Sequence, residues 1–217
     1  LVQQAEKFGA QLVYEGVTAL RREPDGAFTL ETGSDTYRAR AVIVTAGADY
    51  NRLGVPGETE FTGRGVSWCA TCDAAFFKDQ EVAVVGGGDA ALDEGLFVTR
   101  YARKVHLIHR RDELRASRIL QERAFANPRF TFTWDTVVET INGTDQVQGV
   151  TLRNLKTGAT SELPVAAVFI FIGQTPNSGL LRGLAELDPA GHAITDLSMR
   201  TNVPGLFAAG DVRAHAA

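Results

Sequence analysis

The sequence of 217 residues is poor in cysteine and has no long apolar run. Its two cysteines are too few for the disulfide framework of a small secreted domain, so we expect a reducing, cytoplasmic environment. The longest apolar stretch, residues 163–173, contains a proline and ends in glycine. Because a helix needs about 20 apolar residues to cross a bilayer, we expect a soluble protein without membrane contact. No basic leader precedes an apolar segment, and we expect no signal peptide.

The sequence also lacks a strong excess of charge of either sign. It has 22 lysines and arginines against 26 aspartates and glutamates, which gives a formal net charge of -4. This balance argues against a general nucleic-acid binder, and we expect no nucleic acid as a partner. With 44% hydrophobic and 22% charged residues, the chain can bury the core of one large domain or two small ones.

Short apolar segments separated by glycine, proline and asparagine predict an α/β protein. The clearest unit lies between residues 82 and 108, where a strand, a glycine-rich loop, a helix and a second strand follow one another. A further helix is expected over residues 112–126, because Asn127 and Pro128 would end it. The pattern also predicts strands over residues 11–14, 17–22, 27–32, 39–47, 165–172 and 205–212.

The glycine-rich loop fits the dinucleotide-binding pattern G-x-G-x-x-G/A. In this pattern the first glycine makes the tight turn, the second admits the pyrophosphate, and the small third residue lets the helix pack on the strand. Asp89 has a side chain suited to cap the following helix. We therefore predict a nucleotide site at Gly86, Gly87, Gly88, Asp89, Ala90 and Ala91.

A cluster of cations follows the second strand of this unit. An NAD site carries an acid about 20 residues after the glycine loop, to bind the ribose hydroxyls. This sequence has His109, Arg110, Arg111 and, shortly after, Arg115 in that place. Because guanidinium groups pair with phosphate, the cluster favours NADP over NAD. The alternative interpretation is a solvated helix start, where paired arginines are common.

The two cysteines, Cys69 and Cys72, are separated by two residues and lie upstream of the glycine loop. They could form a redox pair, half of a zinc site, or two buried structural cysteines. A zinc site needs about four ligands, and the chain has no second C-x-x-C pair. The four histidines show no ligand spacing, and we predict no metal: they are His106, His109, His192 and His215. A neighbouring nucleotide site that supplies electrons favours the redox pair.

Asp73 directly follows the second cysteine. A carboxyl group in this place can move a proton to or from a thiolate, or to the leaving sulfur of a partner disulfide. The other interpretation is structural, because an aspartate often caps the turn that follows it. Both interpretations stay open at the level of the sequence.

These motifs resemble those of a known family. The sequence has C-A-T-C-D at 69–73, G-G-G-D-A-A at 86–91, H-R-R at 109–111, I-G-Q-T-P-N at 172–177 and G-L-F-A-A-G-D-V at 205–212. In this order, and over nearly the whole chain, it resembles the low-molecular-weight thioredoxin reductases of the bacterial type. The resemblance implies FAD and NADPH as cofactors, thioredoxin as partner, and the homodimer usual in the family.

The resemblance also implies a two-dinucleotide-binding-domain flavoprotein, with a Rossmann-like NADP-binding domain inserted into an FAD-binding domain. Residues 53–172 would form the NADP-binding domain with the cysteine pair, and residues 1–52 and 173–217 two segments of the FAD-binding domain. The family's first glycine fingerprint, its Arg-Gln pair and its closing helix have no counterpart in this sequence. We therefore expect a truncated FAD-binding domain and a chain that binds NADPH but holds FAD weakly or not at all.

The mechanism implied by the resemblance passes electrons from NADPH through flavin to the disulfide. Cys72 would be the sulfur nearest the flavin, Cys69 the sulfur that attacks thioredoxin, and Asp73 the acid. The resemblance implies further cofactor-binding residues outside the glycine loop and the cation cluster. They are Thr45 and Gly47 near the flavin nucleotide, Ile172 and Gly173 where the chain passes from the NADP-binding domain back to the FAD-binding domain, and Gly210, Asp211 and Val212, of which Asp211 would bind the ribityl chain.

One departure follows the cysteines, and two other functions compete with the reductase. The family has a glycine after the acid, where this chain has Ala74 followed by Ala75. If that glycine has a positive φ or packs closely on the flavin, Ala74 is costly. The competing functions are a flavin-dependent dithiol oxidase on the same scaffold and a non-catalytic NADP-binding fragment.

Overall fold

The computed structural model describes residues 1–216, which contain four α-helices and fifteen strands. The helices are α1 (Val2–Lys7), α2 (Ala70–Asp73), α3 (Asp89–Val98) and α4 (Arg118–Ala126), with 3-10 turns at Ala74–Phe77 and Gly179–Leu181. The strands are β1 (Ala19–Arg22), β2 (Phe28–Glu31), β3 (Thr36–Ala39), β4 (Val42–Val44), β5 (Ala48–Tyr50), β6 (Val66–Ser67), β7 (Glu81–Val85), β8 (Lys104–Ile108), β9 (Phe130–Thr133), β10 (Thr136–Gly143), β11 (Val147–Asn154), β12 (Thr160–Pro164), β13 (Ala167–Ile170), β14 (Gln174–Pro176) and β15 (Leu206–Ala208).

The chain divides into two compact units. The first unit combines Leu1–Asp49 with Thr175–Ala217, and the second consists of Tyr50–Gln174. The second unit is therefore an insertion in the sequence of the first. The chain leaves the first unit in β5 and returns to it in β14.

The first unit contains an antiparallel sheet and a separate parallel strand pair. β1, β2 and β3 pair antiparallel in that order, and β4 pairs parallel with β15. Phe28, Leu181 and Leu206 are fully buried at the centre of its core. The amide of Ala209 donates to the carbonyl of Val44 at 3.0 Å, which extends the β4–β15 pairing beyond the strand ends.

The second unit is built on a five-stranded parallel sheet with both faces covered. The strand order is β6-β13-β7-β8-β9, and the antiparallel sheet β10-β11-β12 lies over one face. Along β7, Val82 and Val84 join the core shared with α3 and α4, whereas Ala83 and Val85 join the core shared with β10 and β11. Strands covered on both faces need apolar residues at every position, which accounts for the unbroken apolar runs in the sequence.

The strand order of the second unit creates a crevice at one edge. β8 and β9 lie on one side of β7, and β13 lies on the other. The chain connections after β7 and after β13 therefore diverge at the carboxyl ends of these strands. In parallel sheets this point of divergence is the usual ligand site.

Gly95 lets α3 pack closely on the sheet. A Cβ at this position would lie 2.8 Å from the ring of Phe130 and 3.7 Å from a methyl of Val84. Glycine in a helix interior costs about 1 kcal/mol relative to alanine. Here the cost is offset because the helix approaches β9 closely enough to bury Phe130.

Several predicted elements differ from the structure because tertiary contacts or exposure decide them. The helix predicted over residues 112–126 begins only at Arg118, since the amides of Arg115 and Ala116 donate instead to the carbonyl of Gly87. Residues 11–14 are exposed and form no strand. β3 and β12 were not predicted, because their mostly polar, exposed residues carry no apolar pattern.

The turn that follows β5 is fastened to β10. The amide of Ile141 donates to the carbonyl of Pro56 at 3.0 Å. The buried carboxylate of Glu58 accepts from the amides of Leu53 and Gly54 at 3.0 and 2.7 Å. These bonds fix the backbone of the turn within the second unit.

No helix in residues 1–216 combines the length and apolar character that crossing a membrane requires.

Substitution of Gly57 tests how tightly this turn is fastened. Gly57 has a φ of 85°, and a Cβ on it would lie 2.0 Å from the carbonyl oxygen of Ile141. We expect Gly57→Ala to lower the free energy of unfolding by roughly 2–4 kcal/mol, from backbone strain and overpacking. Chemical denaturation followed by tryptophan fluorescence measures the effect, since Trp68 and Trp134 both lie in the second unit.

Gly54→Ala is the matched control. Gly54 has a φ of 73°, but no heavy atom lies within 4 Å of the position of its Cβ. Gly54→Ala should lower the free energy of unfolding by only about 1 kcal/mol, which is the cost of a left-handed backbone conformation at alanine. Equal losses for the two variants would contradict the steric account.

Candidate functional site

The main cleft of the second unit lies at the carboxyl ends of β7, β8 and β13. Its volume is about 530 Å³. It is lined by Asn51, Arg52, Leu53, Val85, Gly86, Gly87, Gly88, Asp89, Ala90, Ile108, His109, Arg110, Arg115, Thr136, Val137, Val138, Phe171, Ile172 and Gly173. A cleft of this size, placed where the strand order reverses, suits a nucleotide.

The glycines of the glycine loop, residues 86–91, have different surroundings. Gly86 has a φ of 149°, and a Cβ on it would lie 2.3 Å from the carbonyl oxygen of Phe171 and 2.7 Å from the Cβ of Ala91. Gly86 therefore allows the loop to pass against the end of β13. No heavy atom lies within 4 Å of the position of a Cβ at Gly88. This side of the loop is open for a phosphate group.

The space beside the Cα of Gly87 is filled by the side chain of His109. A Cβ at Gly87 would lie 2.3–2.6 Å from three atoms of the His109 imidazole. The His109 residue is only 7% exposed, and its Nε2 atom is buried without a hydrogen-bond partner in the described residues. The Trp134 ring meets the imidazole edge-on at 6.4 Å. His109 therefore packs between the glycine loop and Trp134.

The surroundings of His109 favour its neutral form. Burial is the main cause that lowers the pKa of the imidazole below its ordinary value of 6.5. The charges of Arg110, Arg111 and Arg115 lower the pKa further, and a hydrogen bond to the Glu113 backbone opposes these effects. The imidazole is therefore neutral at neutral pH, beside three positive charges.

The arginine loop, residues 109–117, presents guanidinium groups without partners. Arg110, Arg111 and Arg115 are exposed, and none makes an ion pair or a side-chain hydrogen bond within residues 1–216. Arg110 and Arg115 line the main cleft, whereas Arg111 lies just outside its lining. Free guanidinium groups at the rim of a cleft are a site for a phosphate.

Asp89 does not cap α3 as predicted. The N-cap residue is Gly88, and no side chain accepts a capping hydrogen bond there. Asp89 is the first residue of the helix, and its Oδ1 accepts from the amide of Ser117 at 2.6 Å. This bond is the main cause that lowers the pKa of Asp89. The amides at the start of α3 remain open toward the cleft.

Residues near the two ends of the second unit form another wall of the main cleft. Ile172 and Gly173 line it beside Asn51, whose amide donates to the Gly173 carbonyl at 3.0 Å and whose side chain donates to the Ile172 carbonyl at 3.4 Å. No motif in the sequence marks Asn51, Arg52 or Thr136 as lining residues. Asn51 and Arg52 reach the cleft because the chain enters the second unit at this edge, whereas Thr136 is held there by its amide, which donates to the carbonyl of His109 at 3.0 Å.

The cysteines form a disulfide within the second unit. Cys69 and Cys72 are joined at the start of α2, directly after β6, and their Cα atoms are 5.3 Å apart. Cys69 Sγ accepts from the amide of Cys72 at 3.2 Å and lies 3.4 Å from the Thr71 hydroxyl. Cys69 is half-buried, and Cys72 is exposed. Donors around Cys69 Sγ stabilise negative charge on that sulfur when the disulfide opens.

Asp73 faces a small cleft next to the disulfide. It precedes the 3-10 turn Ala74–Phe77, but its side chain makes no capping hydrogen bond. Asp73 instead lines a cleft of about 250 Å³ together with Arg64 and Phe76. The structural interpretation as a cap is therefore wrong, and the carboxyl group is available for proton transfer.

Ala74 occupies an unstrained position. Its φ and ψ are -57° and -33°, which are ordinary helical values, and its side chain is fully buried in the core. The expected cost of a positive φ at Ala74 does not arise in this structure.

The other predicted cofactor residues lie in the first unit. Thr45 and Gly47 follow β4, and Gly210 and Asp211 follow β15, so the parallel pair carries them to one edge. The carbonyls of Ala46 and Gly47 accept from the side chain and the amide of Asn177 at 3.1 and 3.0 Å. Thr45, Gly210 and Asp211 are exposed. Val212 instead is fully buried in the core of the first unit.

No group of three or more metal-ligating side chains occurs within residues 1–216. His106, the other buried histidine, has protein partners on both ring nitrogens. Nε2 lies 2.8 Å from Glu81, and Nδ1 lies 3.0 Å from the hydroxyl of Thr131. It belongs to the structure of the sheet.

Comparison with known proteins identifies relatives over nearly the whole chain. Residues 4–217 match the family model described as pyridine nucleotide-disulphide oxidoreductase. Thioredoxin reductase of Streptomyces coelicolor is 49% identical over 213 residues, which are 98% of this chain and 66% of that protein. Thioredoxin reductase of Treponema pallidum is 50% identical over 97% of this chain and 68% of its own length. The chain thus spans about two thirds of these relatives.

Solved structures agree with these sequence matches. Thioredoxin reductase from Streptococcus pyogenes has a TM-score of 0.80 and 46% identity, covering 97% of this chain and 69% of that one. The enzyme of Lactococcus lactis has a TM-score of 0.79 and 42% identity, covering 96% of this chain and 69% of that one. The α/β fold predicted from the sequence is confirmed by these similarities.

The lowered pKa of His109 predicts a pH dependence of stability. Between the unfolded pKa near 6.5 and the lower folded value, the unfolded chain binds more protons than the folded chain. The free energy of unfolding should therefore fall as the pH is lowered below 6.5, and His109→Gln should reduce this slope. Denaturant titrations across that range measure it. A slope that is unchanged in His109→Gln would contradict the assignment.

Proposed function

The chain belongs to the pyridine nucleotide-disulphide oxidoreductase family, and on that premise we propose that it is an NADPH-dependent flavoprotein reductase of thioredoxin. The observation that carries the proposal is that the disulfide and a cleft lined by the glycine loop, Arg110 and Arg115 lie in the same compact unit. Relatives at 49% and 50% identity are named thioredoxin reductase, which favours this activity over a dithiol oxidase or a non-catalytic module.

We propose that residues 53–172 form an NADP-binding domain and that residues 1–52 and 173–217 contribute to an FAD-binding domain. Support for the first assignment comes from the second compact unit, Tyr50–Gln174, which contains the glycine loop, the arginine loop and the disulfide. Support for the second comes from the exposed Thr45 and Asp211 beyond adjacent parallel strands, an arrangement that suits a nucleotide.

NADPH fits the main cleft by the chemistry of its walls. The open side of Gly88 and the uncapped start of α3 would hold the pyrophosphate, since amide groups at a helix N-terminus bind anions. Arg110, Arg111 and Arg115 would bind the 2′-phosphate through charge-assisted hydrogen bonds. FAD would be held by the residues that follow β4 and β15. When bound, the two cofactors supply a hydride and a two-electron relay.

The chain's own residues perform the thiol chemistry. Opening the Cys69–Cys72 disulfide takes up two electrons and two protons and leaves two thiols. Cys69 becomes the attacking thiolate, because the Cys72 amide and the Thr71 hydroxyl stabilise charge on its sulfur. Asp73 supplies a proton to the departing thiolate of the partner.

Thiol–disulfide exchange then completes the turnover. Attack by Cys69 breaks the disulfide of the partner and forms a mixed disulfide between Cys69 and one partner sulfur. Cys72 attacks the Cys69 sulfur, which releases the partner as a dithiol and restores the Cys69–Cys72 bond. The balance is one NADPH and one proton consumed for each partner disulfide reduced.

The proposed partner is thioredoxin, and the small cleft is where it would dock. Phe76 is 75% exposed on its rim, and Arg64 stacks on the Phe61 ring at 5.7 Å nearby. An apolar ring beside a cation suits a protein surface that must bring a disulfide close to Cys69. We further propose a homodimer in the cytoplasm, in keeping with the reductase activity.

The test of the function is NADPH-coupled reduction of thioredoxin by the purified protein with added FAD. We expect NADPH oxidation that depends on thioredoxin and falls by roughly 100-fold or more in Cys69→Ser and Cys72→Ser. Both variants should keep their affinity for NADPH, since the cysteines do not line the main cleft. NADPH oxidation that is independent of thioredoxin, or unchanged in the cysteine variants, would contradict the proposal.

The arginine loop predicts the choice of nucleotide. Replacing Arg110 and Arg111 by alanine should weaken NADPH binding by roughly 10- to 100-fold, because charge-assisted bonds to the 2′-phosphate are lost. NADH binding, which has no such phosphate, should stay nearly unchanged. Isothermal titration calorimetry measures both affinities.

Arg118→Ala is the control for the arginine variants. Its guanidinium is exposed and already paired with Glu122 at 2.9 Å, and it does not line the cleft. It should keep the preference for NADPH. If the double variant kept this preference as well, the loop would have no role in recognising the phosphate.

A further inference from the structure

Two loops of the second unit are joined by hydrogen bonds between residues far apart in the sequence. Asp89 Oδ1 in the glycine loop accepts from the amide of Ser117, 28 positions further along the chain, at 2.6 Å. The carbonyl of Gly87 accepts from the amides of Arg115 and Ala116 at 2.8 and 3.2 Å. These three bonds fasten the end of the arginine loop to the glycine loop.

We propose that Asp89 is a positioning residue for nucleotide specificity, which holds the arginine loop so that Arg115 faces the main cleft. The inference rests on the proposed use of NADPH and extends it to a residue that carries a negative charge beside a phosphate site. A carboxylate in that place repels phosphate, so contact with the phosphates of the nucleotide does not explain Asp89. Its hydrogen bond to Ser117 does.

The carboxylate form of Asp89 strengthens this hydrogen bond. The Ser117 amide is the largest cause that lowers the pKa of Asp89, so the group stays ionised at neutral pH. A bond from an amide to a carboxylate is shorter and stronger than a bond between neutral groups. The distance of 2.6 Å agrees with a bond of this kind.

The two ends of the arginine loop are fastened independently. At the Arg111 end, the Arg111 carbonyl accepts from the amide of Asp135 at 3.2 Å, and Lys156 bridges Asp112 and Asp135 at 2.9 Å each. The Arg115 end is held by the bonds to Asp89 and Gly87, by bonds from Gln121 to the carbonyls of Leu114 and Ala116, and by the packing of Ala116 in the core. Loss of the Asp89 bond should therefore loosen the Arg115 end and leave the Arg111 end in place.

Alanine and asparagine at position 89 separate positioning from charge. Asp89→Ala removes both the acceptor and the charge, whereas Asp89→Asn removes the charge and keeps an oxygen acceptor for the Ser117 amide. Positioning predicts that Asp89→Ala lowers the ratio of NADPH to NADH affinity about tenfold and that Asp89→Asn stays within about threefold of the unmodified protein. An effect of charge alone would instead strengthen binding of both nucleotides in both variants.

Asp93→Ala is the matched control for a lost charge on α3. Asp93 is exposed on the same helix, is absent from the lining of the cleft, and forms no hydrogen bond or ion pair with the arginine loop within residues 1–216. It should keep the unmodified ratio of affinities. Calorimetric titration with NADPH and NADH provides these ratios, and denaturation confirms that each variant is folded.

A second measurement needs no nucleotide. Amide hydrogen exchange of the free protein should show faster exchange at Ser117 and Arg115 in Asp89→Ala, by at least about tenfold, with protection largely retained in Asp89→Asn. Unchanged exchange in Asp89→Ala would overturn the proposed fastening. If exchange rises but the ratio of affinities is unchanged, the role in specificity is overturned while NADPH use stands. An unmodified protein with no preference for NADPH would overturn the proposed function itself.

Discussion

The main cleft depends on a missing side chain at Gly87. The imidazole of His109 occupies the space that a Cβ there would take, and this contact brings the start of the arginine loop against the glycine loop. Any other residue at position 87 would push the ring back toward Trp134. The contact also keeps the imidazole buried, and burial favours its neutral form. The imidazole therefore adds no fourth positive charge to those of Arg110, Arg111 and Arg115. The position of the neighbouring guanidinium groups therefore depends on a steric constraint.

The second unit places its two chemical centres on one rigid sheet. The glycine loop follows β7, in the middle of the sheet, and the disulfide follows β6 at its edge. Because both faces of the sheet are packed, neither centre can shift without disturbing a core. The disulfide nevertheless lies near the surface, with Cys69 half-buried and Cys72 exposed. Rigid support and an accessible disulfide are combined in about 125 residues, Tyr50–Gln174.

Local sequence patterns were sufficient where a motif contains its own geometry. The glycine loop, the cysteine pair and the cation cluster depend on residues close together in the chain, and the structure has the loop between β7 and α3 as the pattern predicts. Patterns failed where distant groups decide. Residues 112–117 are rich in helix formers, yet their amides bond to Gly87 and Asp89 instead. Asp89 looked like a helix cap for the same reason, since its distant partner Ser117 carries no signal in the sequence.

Exposed polar strands, and the residues that line the cleft near the ends of the second unit, could not be predicted for a different reason. β12 is an edge strand whose Thr, Ser and Glu residues face solvent, so no apolar alternation marks it. Asn51 and Arg52 reach the main cleft only through the insertion of one unit into the other. Val212 was predicted to bind a cofactor, a prediction that stays untested, but its buried side chain already packs in a core. The side chain of a motif residue can pack in the core, so that only its backbone is available to a ligand.

The most direct test of the account is a crystal structure of the protein with NADP⁺. The account predicts the pyrophosphate against Gly88 and the start of α3, with the 2′-phosphate within ion-pair distance of at least two guanidinium groups of the arginine loop. The His109 ring should remain packed on Gly87. A dinucleotide bound with its 2′-phosphate in solvent, or outside the main cleft altogether, would contradict the central claim.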